Sequence, residues 1–181
     1  MEITFITGNP GKAEQLSRFL SYPIAHQKLD LLELQSLDPV EVVKYKVMEA
    51  YNLIQSPVLV EDTALIFCAL GKLPGTLIKW FLTELGKEGL CKILNSFTDR
   101  TAIAQVHFCL YDGKELQLFE GKVKGTIASE PRGDNDFGWG PIFIPEGCTK
   151  TWGEMSIEEQ NATAMRRIAL GKLDAYLKQP V

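Results

Sequence analysis

Residues 101–127 read TAIAQVHFCLYDGKELQLFEGKVKGTI. Two β-rich runs, 101–111 and 116–127, flank the pair Asp112-Gly113. Asp-Gly tolerates the positive φ of a tight turn, so the segment predicts a hairpin. A hairpin is antiparallel, which argues against an all-parallel, doubly wound sheet. Upstream, short strands alternate with helices. Residues 2–6 form a β-rich run, and 11–20 carry Ala13, Leu16, Phe19 and Leu20 at helical spacing. Residues 23–29 read as a second strand. Asp38-Pro39 reads as an N-cap with proline at N1, opening an amphipathic helix to about residue 55. Residues 57–60 are an apolar run ending in Glu61-Asp62, the pattern of a buried strand that stops at a polar site. Leu73-Pro74-Gly75 reads as a turn, followed by helices over 76–85 and 87–94. Downstream, residues 130–140 are glycine-rich and predict an irregular loop, and 141–144 a short strand. Ser156-x-x-Glu159 is a capping-box pattern opening helical sequence to about residue 178. The expectation is an α/β chain. Its fold is a bilobed mixed-sheet one, with helices flanking a long central sheet and a cleft between lobes, and residues 1–181 form one domain.

Composition sets the outer bounds. With 181 residues, 45% hydrophobic and 23% charged, the chain is neither collagen-like, low-complexity nor disordered. Nineteen Lys and Arg against 23 Asp and Glu give a net charge of −4. That argues against a nucleic-acid or anionic-membrane partner, which needs a basic face, but leaves room for a small anion in a local lysine pocket. No apolar run approaches the ~20 residues of a membrane span. The start, MEITFITGNP, has an acid at position 2 and no basic n-region, so no secretion signal is expected. Cys68, Cys91, Cys109 and Cys148 contain no CxxC pair and predict reduced thiols in a cytoplasmic setting. Cys68 and Cys109, in IFCAL and VHFCL, read as core filling. His26 and His107 have no partner histidine at metal spacing and read as core or surface residues.

Two segments carry chemistry. Thr7-Gly8-Asn9-Pro10-Gly11-Lys12 lies between a strand and a helix. Its glycines let backbone N–H groups approach a ligand, and the helix start presents unsatisfied donors and a positive dipole end. Thr7 and Asn9 add side-chain donors and Lys12 a full charge, a combination suited to phosphate oxygens. The spacing is neither GxxxxGK[ST] nor GxGxxG. The second segment is Glu61-Asp62-Thr63. Adjacent acids on a strand point to opposite faces, so one of them faces the site, and Asp62 is the expected one. Glu33 can add a second carboxylate. Hard oxygens of this kind suit Mg²⁺ bound jointly with phosphates.

With these pieces in place, the sequence resembles the inosine triphosphate pyrophosphatase family. The likeness runs through TGNPGK (7–12), PVLVEDTAL (57–65), LPGTLIKWF (73–81), RTAIAQ (100–105), PRG (131–133), DFGWGPIFIPEG (136–147) and EEQNA (158–162). The resemblance implies a bilobed α/β homodimer. It also implies Mg²⁺-dependent cleavage of a nucleoside triphosphate to the monophosphate and pyrophosphate. Carried over, it assigns Thr7, Gly8, Asn9 and Lys12 to the triphosphate and Glu33 and Asp62 to the metal. Asp62 and Lys12 become the catalytic pair, with Asp62 orienting or deprotonating the attacking water. Thr63 touches the ligand beside it, and Lys46 and Lys79 add positive charge. Phe137, Gly138 and Trp139 form part of the base pocket, with Arg166 at its edge.

The chain departs from the family pattern on the base side. Where the family carries Trp-Asp-Pro, this sequence has Trp139-Gly140-Pro141. Where the family carries Lys-Asn and then Ser-His-Arg, it has Gln160-Asn161 and then Ala164-Met165-Arg166. A pocket that hydrogen-bonds its ligand discriminates by orders of magnitude and an apolar one weakly. Gly140, Gln160 and Met165 therefore predict an altered or relaxed base preference for an ITP/dITP/XTP-type house-cleaning activity. The competing readings are a catalytically impaired nucleotide-binding or regulatory protein, and a pyrophosphatase for a different modified nucleotide.

Overall fold

The computed structural model describes residues 2–20, 22–134 and 138–179. Its strands are β1 (Ile3–Ile6), β2 (Ile24–Gln27), β3 (Val58–Phe67), β4 (Pro74–Gly75), β5 (Thr101–Tyr111), β6 (Leu116–Ile127) and β7 (Phe143–Pro145). They form a seven-stranded sheet of order β2-β1-β3-β5-β6-β7, with β4 paired to β3 off this path. β1 runs parallel to both β2 and β3, whereas β4 is antiparallel to β3 and β7 antiparallel to β6. The sheet is mixed, as the hairpin requires. Residues 112–115 join β5 to β6 and are too few for a parallel crossover. Asp112 Oδ1 accepts the N–H of Lys114 at 2.9 Å and of Glu115 at 2.8 Å. Gly113 sits at φ 94°, a conformation an L side chain resists.

The helices are α1 (Pro10–Phe19), α2 (Pro39–Ile54), α3 (Ile78–Ile93), α4 (Ile157–Thr163) and α5 (Met165–Leu177). Asp38 caps α2 through Val40 N–H at 2.9 Å, with Pro39 in its first turn. α3 bends at Gly86 (φ 67°, ψ 179°), which reproduces the two helical segments read from the sequence. Ser156 and Glu159 exchange both hydrogen bonds of a capping box.

The chain divides into two compact units. The first comprises the described residues of 1–63, 106–121 and 168–181. In it, Val43, Val47 and Ala50 of α2 pack on Ile6, Val58, Val60 and Cys109, with Leu29, Leu31 and Tyr51 around them. Val43 and Val47 are fully buried, each worth about 1.5–3 kcal/mol of transfer free energy. The second comprises 64–105 and the described residues of 122–167. There Phe143 and Trp152 stack with centroids 4.5 Å apart, and Trp139 lies 5.5 Å from Trp152. Arg100 donates to the carbonyls of Ile127, Ala128 and Cys91 at 2.9, 2.7 and 3.1 Å, tying this unit's segments together.

Several local expectations are corrected. The strand after Pro57 does not stop at Glu61-Asp62; β3 runs on to Phe67 and meets β4, so both acids are mid-strand. Pro74-Gly75 is itself paired, not merely a turn. The strand expected over 141–144 falls at Phe143–Pro145, preceded by a 3₁₀ turn. The helical sequence from 156 to 178 is broken at Ala164, whose ψ is 135°. Cys68 is exposed because β3 ends at Phe67, whereas Cys91 and Cys109 are buried.

Candidate active site

The loop after β1 is preassembled by its own side chains. Thr7 Oγ1 accepts Asn9 N–H at 3.1 Å, and Asn9 Oδ1 caps α1 by accepting Lys12 N–H at 3.3 Å. Pro10 fits the first turn because it has no N–H to satisfy there. Gly8 lies outside the left-handed region, and a Cβ on it would meet only Lys28 side-chain carbons at 3.7–3.8 Å. The fold therefore tolerates a side chain at position 8.

Lys12, one turn into α1, reaches β3. Its Nζ lies 2.8 Å from Glu61 Oε1, and the Glu61 side chain is 4% exposed. Lys46 reaches the same strand from α2, donating to the Glu61 carbonyl at 3.1 Å and lying 3.8 Å from Asp62 Oδ1. Two lysines from two helices thus converge on adjacent acids of one strand. The sequence reading expected only Asp62 to face the site. Both acids are engaged, because each lysine can reach a different face of β3. Glu61 is the residue that reading missed, and its signal was its position between an apolar run and Asp62.

Asp62 is the perturbed group of the cluster. Burial pushes its carboxyl up to about 6, against the opposing pull of Lys46 and Lys12, with Glu61 and Glu33 adding to the rise. Its Oδ2 is buried and accepts no hydrogen bond among the described residues. A desolvated carboxylate with an open oxygen beside two lysines is a poor structural element and a good base or ligand. Glu33 lies in the segment between β2 and α2 and is exposed. Glu33 and Asp62 offer hard carboxylate oxygens. Among the described residues no group of three or more His, Cys, Asp or Glu side chains is gathered into a metal cage. That donor set fits a cation shared with a phosphate ligand better than one enclosed by protein alone. Thr63 follows Asp62 on β3, with its side chain half-buried.

The remaining candidates belong to the second unit. Lys79, on α3, is exposed with Nζ 5.9 Å from the ring centroid of Trp80. Gly138 has φ 54° and a Cβ on it would meet no described residue within 4 Å, Trp139 is buried, and Phe137 lies outside the described residues. Gly140 and Gln160 are neighbours: a Cβ on Gly140 would lie 3.9 Å from Gln160 Nε2 and 3.6 Å from Trp152 Cβ. Met165 and Arg166, at the start of α5, are both buried. Trp152 Nε1 donates to Thr163 Oγ1 at 2.9 Å, fixing the end of α4 to the aromatic cluster.

Comparison with known proteins gives consistent matches over the chain. The model of the Ham1 family matches residues 3–176. An inosine triphosphate pyrophosphatase of Yarrowia lipolytica is 44% identical over 185 residues, covering 99% of this chain and 97% of that protein. Inosine triphosphate pyrophosphatase 2 of Trypanosoma cruzi is 43% identical, covering 97% and 91%. Among solved structures, the Ham1 protein of Staphylococcus aureus aligns with a TM-score of 0.87 at 26% identity, over 98% of each chain. A HAM1 protein of Coxiella burnetii aligns with a TM-score of 0.90 at 25% identity, over 99% of this chain and 100% of that one.

Proposed function

The chain belongs to the Ham1 family, and from that premise we propose that it is a nucleoside triphosphate pyrophosphohydrolase. It converts a nucleoside triphosphate and water to the monophosphate and pyrophosphate, with ITP, dITP and XTP as the substrate class. The single observation that carries the reading is the convergence of Lys12 and Lys46 on Glu61 and Asp62.

Cleavage between the α- and β-phosphates requires water to attack the α-phosphorus. Asp62 supplies the base: a carboxyl near 6 is mostly ionised at pH 7 yet basic enough to draw a proton from an attacking water. Charge then develops on the non-bridging and leaving oxygens. Lys12 and Lys46 are already placed against the acids and can transfer their N–H donors to phosphate oxygens. Each such charge-assisted contact is worth about 1.5–3 kcal/mol. The α1 N-terminus and the backbone at Gly8 receive the rest of the polyphosphate. Mg²⁺ held by Glu33, Asp62 and the phosphates would neutralise phosphate charge and acidify a bound water.

Base choice is assigned to the second unit. Gly140, Gln160, Ala164 and Met165 replace groups that the family pattern would supply, so purine discrimination is altered or relaxed while the phosphate machinery is kept. Trp139, Arg166, Gly138 and Phe137 are the proposed pocket residues, and Thr63 and Lys79 the proposed further contacts. A cytoplasmic setting is supported by the free buried thiols, held up to about 11 at Cys91 and about 12 at Cys109 by burial. No helix of the described residues is long and apolar enough to cross a membrane. A homodimer is the proposed assembly, with half-exposed Trp80 beside Lys79 as one apolar surface available to it.

A nucleotide panel with Mg²⁺, scored for pyrophosphate, tests the proposal. Pyrophosphate release with ITP and XTP favoured by less than the usual orders of magnitude over ATP, GTP, CTP and UTP supports both parts. A strong ITP/XTP preference overturns the altered specificity. Turnover of no triphosphate overturns the enzyme.

A further inference from the structure

Glu33 has a positioning problem that the fold must solve. It lies in residues 28–38, which have no regular secondary structure. Leu29 and Leu31 pin the start of this segment to the core beside α2. Leu32, the residue just before Glu33, is 70% exposed, so side-chain packing does not hold the backbone there. A hydrogen bond does. Leu32 N–H donates to both carboxylate oxygens of Glu49, at 3.1 and 3.0 Å. On the other side of Glu33, Ser36 Oγ donates to Glu41 at 2.5 Å and accepts Asp38 N–H at 3.1 Å. Glu49 and Glu41 both belong to α2, so one helix holds the segment on either side of Glu33. The same helix carries Lys46, three residues before Glu49, which reaches Glu61 and Asp62.

We propose that Glu49 is a positioning residue that fixes Glu33 in register with Asp62, so that the two carboxylates can share one divalent cation. This rests on the proposed roles of Glu33 and Asp62 in metal binding. Glu49 is assigned the supporting position because both its oxygens accept the Leu32 N–H. Its charge strengthens that hydrogen bond, and α2 supplies a rigid base for it. Outer-shell partners of this kind tune metal affinity more than the chemical step.

The test uses Glu49→Ala and Glu49→Gln in the full chain, with two readouts. The first is the Mg²⁺ concentration giving half-maximal pyrophosphate release from ITP. The second is Mn²⁺ binding to the nucleotide-free protein, followed by electron paramagnetic resonance. Glu49→Ala is expected to raise the half-maximal Mg²⁺ and weaken Mn²⁺ binding, each by about tenfold. Its kcat at saturating Mg²⁺ should stay within about twofold of the parent, since the ligands and the base are retained. Glu49→Gln, which keeps an acceptor, should recover most of both effects and guards against misfolding of the alanine variant. Unchanged metal dependence in Glu49→Ala, or a lowered kcat at unchanged Mg²⁺ and Mn²⁺ affinity, overturns the proposal. Absence of pyrophosphate release by the parent chain overturns the enzyme reading instead, and the Mn²⁺ arm still decides the role of Glu49.

Discussion

The cluster of Lys12, Lys46, Glu61 and Asp62 and the cluster of Trp139, Phe143 and Trp152 are built from opposite materials. In the first, half-buried charges meet the buried Glu61, and one carboxyl is pushed up to about 6 by lost solvation. In the second, three rings pack within 4.5–5.8 Å, and the Trp152 N–H is met by a threonine hydroxyl. The charged cluster costs stability and makes sense as reaction machinery. The aromatic cluster contributes stability through burial, so polar residues at its edge can change without loss of the fold. The proposed assignment, phosphates to the first cluster and base to the residues around the second, follows this contrast.

Breaking the charged side should have the largest effect. Asp62→Asn keeps the shape and removes the base, and is expected to lower kcat at saturating Mg²⁺ by about 10²–10⁴ with a smaller change in KM, measured as pyrophosphate release. A KM effect alone would reduce Asp62 to a binding group. Changing the edge of the aromatic side should do less. Gly140 has ordinary van der Waals room for a Cβ, and Gly140→Asp places a carboxylate near the Gln160 amide. It is expected to shift the ITP-to-ATP ratio of kcat/KM by about tenfold at nearly constant kcat, as a gained or lost pocket hydrogen bond does. An unaltered ratio would move base recognition elsewhere. Smallest for activity is Thr163→Val. It leaves the buried Trp152 N–H without its hydroxyl acceptor, at a cost of about 1–3 kcal/mol in denaturant unfolding, with kcat for ITP kept within about twofold.

Local chemistry made much of this legible. Asp112-Gly113, Asp38-Pro39 and Ser156-x-x-Glu159 each satisfy their own backbone groups within a few residues, so the hairpin, the start of α2 and the start of α4 could be read directly. The loop over residues 7–12 was legible for the same reason, since Thr7 and Asn9 bond within it. What was illegible depends on distant partners. The extent of β3 was hidden because two acids interrupt its apolar run, and lysines from α1 and α2 are what permit them inside the strand. The Glu61 pairing and the Glu49 anchor join residues 49 and 17 positions apart, with no periodic signal. The break at Ala164 carries no glycine or proline; it falls where Thr163 engages Trp152.

The central claim is that Asp62 is held ionised against the preference of the fold in order to do chemistry. Its folded-state value lies above its unfolded one of 3.8, so its unfavourable contribution is absent below about pH 4 and complete above about pH 6. The decisive measurement is unfolding free energy against pH for the metal-free parent and Asp62→Asn. The account predicts that the variant is more stable at pH 7, by on the order of 2–3 kcal/mol, and that this gain fades as pH falls towards 4. A variant that is equally or less stable at pH 7, or whose gain does not depend on pH, would contradict it.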